Sequence, residues 1–363
     1  MRILIVTDAW EPQGHGLGTW LVELSRELQR EGHVVSVIEP SGFRSLPWPK
    51  VAGVRWSLWA GQRLRQRMDA ADADAIHIAT EGPLGWAARR HCLARDWPFS
   101  TGAHVSWATR LNAMLGVPRA ITVAAMRVFH QPSSKVLASS PALREKLRKA
   151  GIARVGDWSA GVDTRLFTPA LRSPSCGVLG PLARPVSLYV GPVAHERDVE
   201  DFLGLDVPGS KVVCGDGPQA KALVGRYPTV HWVGVLPRYE LAAVYANADV
   251  LVYPGRHDGA GRVVLEAMAC GTPVAALPAD GPMQWLGPGQ GGCVADSLEE
   301  AWHKALRLSR RQVREHALAY GWAQAVEGFL AALALRPRMR RTRTTDMAPR
   351  GAAGTPKHGP LVE

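Results

Sequence analysis

The residues best suited to chemistry lie in one stretch, 249–276, DVLVYPGRHDGAGRVVLEAMACGTPVAA. Asp258 opens a loop that carries Gly259 and Gly261, and Glu266 follows inside a helical segment. Glu266 is flanked by Val263, Val264, Leu265, Ala267 and Met268, a setting in which an ionised group is costly unless something pairs with it. A glycine loop that leads into a helix start attracts phosphate, because the first helical amides lack intrahelical partners and the dipole favours negative charge. Carboxylates beside such a site accept strong hydrogen bonds from a sugar diol. Phosphate and polyol together describe a nucleotide sugar. The plainer alternative is a carboxylate that points outward or binds a neighbouring amide.

The elements that must hold these residues follow from the pattern around them. Asp249–Pro254 is an apolar run of strand length stopped by Pro254 and Gly255, Val263–Cys270 is one compact helix, and Gly271 with Pro273 turns the chain into a strand at Val274–Leu277. The amino-terminal half repeats the plan. Arg2–Thr7 reads as a buried strand, the loop DAWEPQGHGLG follows, and a helix from Thr19 puts Leu21, Leu24 and Leu28 on one stripe before Gly32 closes it. Val34–Ile38 is the next strand, with others at Ala75–Ile78, Pro98–Ala103 and Lys135–Ser139. After a Ser/Pro/Gly segment, strands resume at Val186–Val190, Lys211–Val213, His231–Val233 and Val250–Tyr253. Strand and helix alternating at this spacing predict an α/β fold with parallel sheets. The expected organisation is a Rossmann-like domain over 1–168, a linker over 169–185, a second Rossmann-like domain over 186–321, a helix over 322–335, and a basic disordered tail over 336–363.

The totals narrow the function. The chain of 363 residues suits two domains, and no apolar run is long enough to span a bilayer. MRILIVTDAW meets an Asp at position 8 and reads as a strand, not a leader, and five scattered Cys without a CxxC pair argue against zinc or a disulfide framework, so a cytoplasmic setting is expected. Of the net charge of +11, the tail from Arg336 supplies +5 (seven Lys or Arg against Asp346 and Glu363), which leaves +6 for the body. That balance suits anionic partners, yet no nucleic-acid motif accompanies it. Gly14, Gly16 and Gly18 with Glu39 imitate a dinucleotide fingerprint, but they begin too far past the strand and their spacing is wrong, which argues against an NAD oxidoreductase. Asp72-Ala73-Asp74 imitates a metal-binding DxD but stands in an Ala/Asp run before a strand, where a solvated turn is expected.

DGAGRVVLEAMACGTPVAA resembles the acid–x7–acid signature of retaining GT-B glycosyltransferases of family 4. The resemblance covers residues 1–335 and is strongest at 75–105 and 249–276. It implies two Rossmann-like domains facing each other across a cleft, with the last helix crossing back onto the first domain. It implies that Asp258 holds the donor sugar's hydroxyls, that Glu266 holds the nucleotide ribose, and that Gly259, Gly261 and Arg262 lie at the donor phosphates. Asp at the first acidic position is a feature of the mannosyltransferase-like branch. The departure is Gly259-Ala260, where the family carries Thr-Phe or Ser-Phe.

Other segments extend the likeness. HIATEGPLGWAARR (77–90) and TGAHVSW (101–107) resemble the same branch, and His104 matches the family's cleft histidine near the reacting sugar carbon. Gly16 lies in the loop that in the family approaches donor phosphates or acceptor. Gly215 and Gly217, in Gly-Asp-Gly-Pro directly after a strand, resemble the turn beside the nucleotide base, and the same residues also suit a tight βα turn. In VGPVAHERDVEDFL (190–203), Pro192 stands where the family has a phosphate-binding Arg, and Arg197 where it has a Lys. Arg clamps phosphate well, whereas Pro offers neither charge nor an amide donor. His195, Arg256 and Arg262 are the nearby candidates to compensate.

Trp56, Leu58 and Trp59 before Arg63, Arg65 and Arg67, with Leu64 and Met68 between, describe a basic segment able to lie on an anionic bilayer. The expectation from the whole sequence is a retaining hexosyltransferase without cofactor or catalytic metal. It would move mannose from GDP-mannose to a hydroxyl of a lipid-linked or carbohydrate acceptor, with peripheral membrane attachment. The alternatives are a UDP-sugar donor and a degenerate binder that Pro192 has disabled.

Overall fold

A computed structural model describes residues 1–10, 16–47, 55–57, 61–103, 118–157, 160–173, 179–180, 182–256 and 261–337. Apolar strands buried on both faces cannot stand at a solvated surface, and they stack here into two parallel sheets. The first sheet runs β2(Val34–Ile38)-β1(Arg2–Val6)-β5(Ala75–Ile78)-β6(Ser100–Ala103)-β7(Lys135–Ala138)-β8(Val155–Asp157). The second runs β11(His231–Gly234)-β10(Ser210–Cys214)-β9(Val186–Val190)-β12(Val250–Tyr253)-β13(Val274–Ala276)-β14(Gly292–Val294). A short antiparallel pair, β3(Ser45–Pro47) with β4(Arg55–Ser57), stands apart.

Helix α1 (Gly16–Arg30) begins earlier than its leucine stripe suggests, and Leu21, Leu24 and Leu28 are completely buried. α2 (Gly61–Ala71) also turns its apolar residues inward: Leu64 and Met68 are buried in the core against α3 (Pro83–Ala94). The expectation that these two residues help α2 lie on a bilayer is therefore corrected. They are spent on the protein's own core, and α2 shows solvent a polar face. Leu58, Trp59 and the Trp56 side chain lie outside the described residues.

The helix Trp322–Ala332 leaves the second half and packs on the first. Trp322, Ala325, Val326, Phe329 and Ala332 share one core with Ile3, Ile5, Trp20, Leu21 and Leu24. Arg336, expected to open a disordered tail, is instead anchored: its backbone amide donates to Asp74 (2.8 Å), its guanidinium donates to the Ala73 carbonyl (2.8 Å), and it lies 3.7 Å from the Trp97 ring centroid. Residues 338–363 lie outside the described set.

The connecting segment is held more tightly than its Ser/Pro/Gly composition suggests. Asp249 pairs with Arg172 and Arg184, and Asn247 bonds the Leu171 carbonyl and the Ser173 amide. Arg314 donates to the carbonyls of Phe167 (2.6 Å), Thr164 (2.8 Å) and Ala269. Among the described residues, no helix is long and apolar enough to cross a membrane.

Candidate functional site

In the second sheet the strand order reverses between β9 and β12. A parallel α/β sheet binds its ligand beyond the carboxyl ends of the strands at such a point, because the two connections leave toward opposite faces and open a crevice. The helix Arg262–Ala269 follows β12 directly into this place. Its N-cap is Gly261, held in the left-handed region (φ 57) that side chains disfavour, and a glycine brings no side chain of its own to cap the amides that follow. One turn on, Glu266 is nearly buried, with 12% of its side chain exposed. It accepts a hydrogen bond from the hydroxyl of the buried Tyr245 (3.1 Å), and Arg262 stands 3.5 Å from its other oxygen. The Tyr245 phenol is pushed well above its ordinary range, first by burial and then by the Glu266 charge, and stays a donor. Asp258 and Gly259, the other members of this group, lie outside the described residues.

The loops after β9 and β10 are zipped together. Gly191 donates to Cys214 (3.0 Å), Val193 to Asp216 (3.0 Å) and Gly215 to Gly234 (2.8 Å). A β-carbon at Gly215 or Gly217 would overlap the carbonyl of Gly191 or Val193. Backbone approaching backbone accounts for these two glycines, alongside any contact with a base. Arg197 ends the short turn His195–Arg197 on the same side. Of the residues named above as candidates to compensate for Pro192, Arg256 is already spent, with its guanidinium on Asp201 (2.7 Å) and its amide on Asp198 (3.0 Å). His195 lies 3.5 Å from Gln219.

The first sheet reverses between β1 and β5, and there one of the protein's own carboxylates binds the start of the next helix. Asp8, at the tip of β1, accepts from Leu84 N (2.9 Å), Gly85 N (3.3 Å) and the Thr80 hydroxyl (2.8 Å). The amides that begin α3, the natural seat of a phosphate, are thereby filled by a carboxylate. Burial raises the pKa of Asp8 to about 6 against the pull of those three donors. Beside it, Glu81 pairs with the fully buried His130 (3.1 Å), which bonds Thr101 on β6 (2.9 Å). Sequence reasoning missed Asp8, although its position directly after the first strand marks the switch-point location. It also missed Glu81–His130, which no spacing betrays. Gly16 is the first residue of α1, not a loop residue, and His104 lies outside the described residues.

The halves meet at a small pocket lined by Gly161, Asp163, Arg238, Arg262, Glu266 and Trp322. Arg238 also reaches Glu23 of α1 at 3.0 Å. Asp72 sits in an exposed turn (φ 39) and pairs with Arg2, whose amide donates to Asp74 (2.8 Å), so the Asp72–Asp74 pair is engaged within the fold. Among the described residues, no group of three or more metal-binding side chains occurs.

Two family models match the chain: Glycosyltransferase Family 4 over residues 14–166 and Glycosyl transferases group 1 over residues 206–310. A GDP-mannose-dependent alpha-mannosyltransferase of Mycobacterium tuberculosis is 30% identical over 320 residues, covering 81% of this chain and 83% of that protein. A sulfoquinovosyl transferase of Arabidopsis thaliana is 29% identical over 259 residues, covering 66% of this chain and 49% of that protein. Among solved structures, sucrose-phosphate synthase of Thermosynechococcus elongatus superposes with a TM-score of 0.72 at 18% identity, covering 91% of this chain and 97% of its own. Anabaena HepE in complex with UDP superposes at 0.69 and 16% identity, covering 91% and 99%.

Proposed function

This chain belongs to glycosyltransferase family 4 and is a glycosyltransferase of GT-B fold, and we propose that it transfers mannose from GDP-mannose, with retention, to a hydroxyl of a lipid-linked or carbohydrate acceptor. The observation that carries this reading is that Glu266 and the left-handed Gly261 share one short helix at the β9/β12 reversal. In this reading Glu266 accepts from the ribose, while Gly261, Arg262 and Arg197 face the diphosphate. Asp258 holds the sugar and His104 lies near the anomeric carbon. The 30% identity to a protein named for GDP-mannose supports the donor assignment. The protein's own share of catalysis is then positioning and stabilisation of the leaving charge, with closure of the cleft excluding water.

A second reading, a binder without turnover, is favoured by Pro192 and by the diversion of Arg256 to Asp201. Losing one preorganised donor to developing charge costs about a hundred- to thousandfold in rate. Incubation with GDP-mannose and a panel of mannosyl acceptors separates the two. GDP release that depends on acceptor, with an α-mannoside as product by NMR, is expected. Nucleotide binding without any acceptor-dependent release would favour the binder, and gain of turnover in Pro192→Arg would identify the missing donor as its cause.

A further inference from the structure

Tyr253 ends β12 where the second sheet opens. β9 and β12 are paired as Val250 with Ser187 and Leu251 with Leu188, whereas β12 stays paired with β13 as far as Tyr253 and Ala276, and β9 with β10 as far as Val190 and Cys214. The two central strands thus part before their carboxyl ends, and Tyr253 stands at the mouth of the gap. It is 7% exposed, and its hydroxyl has no hydrogen-bond partner among the described residues. Buried polar groups are almost always satisfied, so an unpaired hydroxyl at a ligand crevice asks what it is kept for.

The neighbours indicate the answer. Tyr189 on β9, which packs into the core on the other face of the sheet, spends its hydroxyl on the Pro192 carbonyl at 2.8 Å. Among the described residues Tyr253 has no such acceptor. Arg197 is close by: a β-carbon at Gly255 would stand 3.7 Å from the Tyr253 ring and 3.8 Å from the Arg197 carbonyl. Burial pushes the phenol up to about 12, so it keeps its proton and acts as a donor throughout the neutral range. A cation and an unspent donor at one strand-end crevice suit an anionic acceptor. Pro192 supplies neither.

We propose that Tyr253 donates its hydroxyl hydrogen bond to the diphosphate of the bound nucleotide sugar, beside Arg197. The proposal rests on the donor-site reading above. It adds a contact that family membership does not assign and that offsets part of what Pro192 removes. Packing alone would explain the ring but not the oxygen, and the conservative variant separates the two.

Calorimetric titration of GDP, UDP and GMP into wild type and Tyr253→Phe, with melting temperatures recorded without ligand, tests it. A hydrogen bond to a charged oxygen corresponds to about a tenfold or greater change in affinity. The expected result is that the diphosphate bound by wild type loses about tenfold in Tyr253→Phe. GMP should lose less, and the ligand-free melting temperature should stay level or rise, because the hydroxyl has no partner to lose. Unchanged diphosphate affinity in Tyr253→Phe, or a fall in ligand-free stability with affinity intact, overturns the proposal while the donor-site reading stands. Failure of wild type to bind either diphosphate overturns both.

Discussion

Asp8 shows what burial does to a carboxylate at a strand tip. Three donors hold it, yet its pKa rises from 3.8 to about 6, because desolvation outweighs them. A carboxyl whose folded pKa lies above its unfolded value contributes most to stability below pH 3.8, and that contribution is lost as pH rises through 6. At 1.36 kcal/mol per pH unit, the loss amounts to about 3 kcal/mol. Asp8→Asn removes the titration while keeping one acceptor, so the stability gap between wild type and variant should shift by that order between pH 4 and 6.5. A gap constant across the window would show that Asp8 does not titrate there. Glu266 calls for equal care in mutagenesis. Truncation to Ala would leave the buried Tyr245 hydroxyl without an acceptor, at about 1–3 kcal/mol, whereas Glu266→Gln keeps an acceptor and removes only the charge.

At the level of elements, the helix Trp322–Ala332 is the piece on which the first sheet most depends outside its own sequence. Phe329 is 3% exposed and meets the buried His77 ring edge-on at 5.1 Å. Phe329→Ala should cost about 3–5 kcal/mol in denaturant unfolding and deprotect β1 and β5 in hydrogen exchange; a loss below about 1 kcal/mol would show that the helix is dispensable. The same helix, the leucine stripe of α1 and the strands Val34–Ile38, Ala75–Ile78, Val186–Val190 and Val250–Tyr253 were legible in the sequence, because apolar runs of strand length and a stripe at helical spacing leave little choice. β8 and β14, three residues each with an internal or leading glycine, were not: periodicity needs more length than that. Leu64 and Met68 misled for a different reason. An amphipathic stripe states that one face is apolar without saying whether protein or lipid covers it, and here the core does. Arg336 was misread from composition, since stacking on Trp97 is a tertiary event with no local signature.

Across the whole molecule, the two sheets share a plan and differ at their reversals. In the first, the Asp8 carboxylate occupies the amides that begin α3. The second has a left-handed glycine, Gly261, at the start of the following helix, with Glu266 one turn on, and ends β12 in Tyr253, whose hydroxyl has no partner among the described residues. Charge divides along the same line: residues 1–168 carry 22 Lys or Arg against 14 Asp or Glu, and residues 169–335 carry 14 against 16. The candidate site in the second half drew notice in the sequence because a carboxylate in an apolar helix after a glycine loop is chemically unusual. The occupied half was not, because only the fold brings Asp8 to residues 84 and 85. Arg238 bridges the halves through Glu23 and lines the same pocket as Glu266, so the proposed ribose contact and the relation of the halves meet at one place. The most direct test is calorimetric titration of GDP, UDP and NAD into wild type and Glu266→Gln. Saturable GDP binding that weakens about tenfold or more in Glu266→Gln, with no binding of NAD, is predicted. Binding of none of the three, or nucleotide binding indifferent to Glu266→Gln, would contradict the placement of the donor at the β9/β12 reversal.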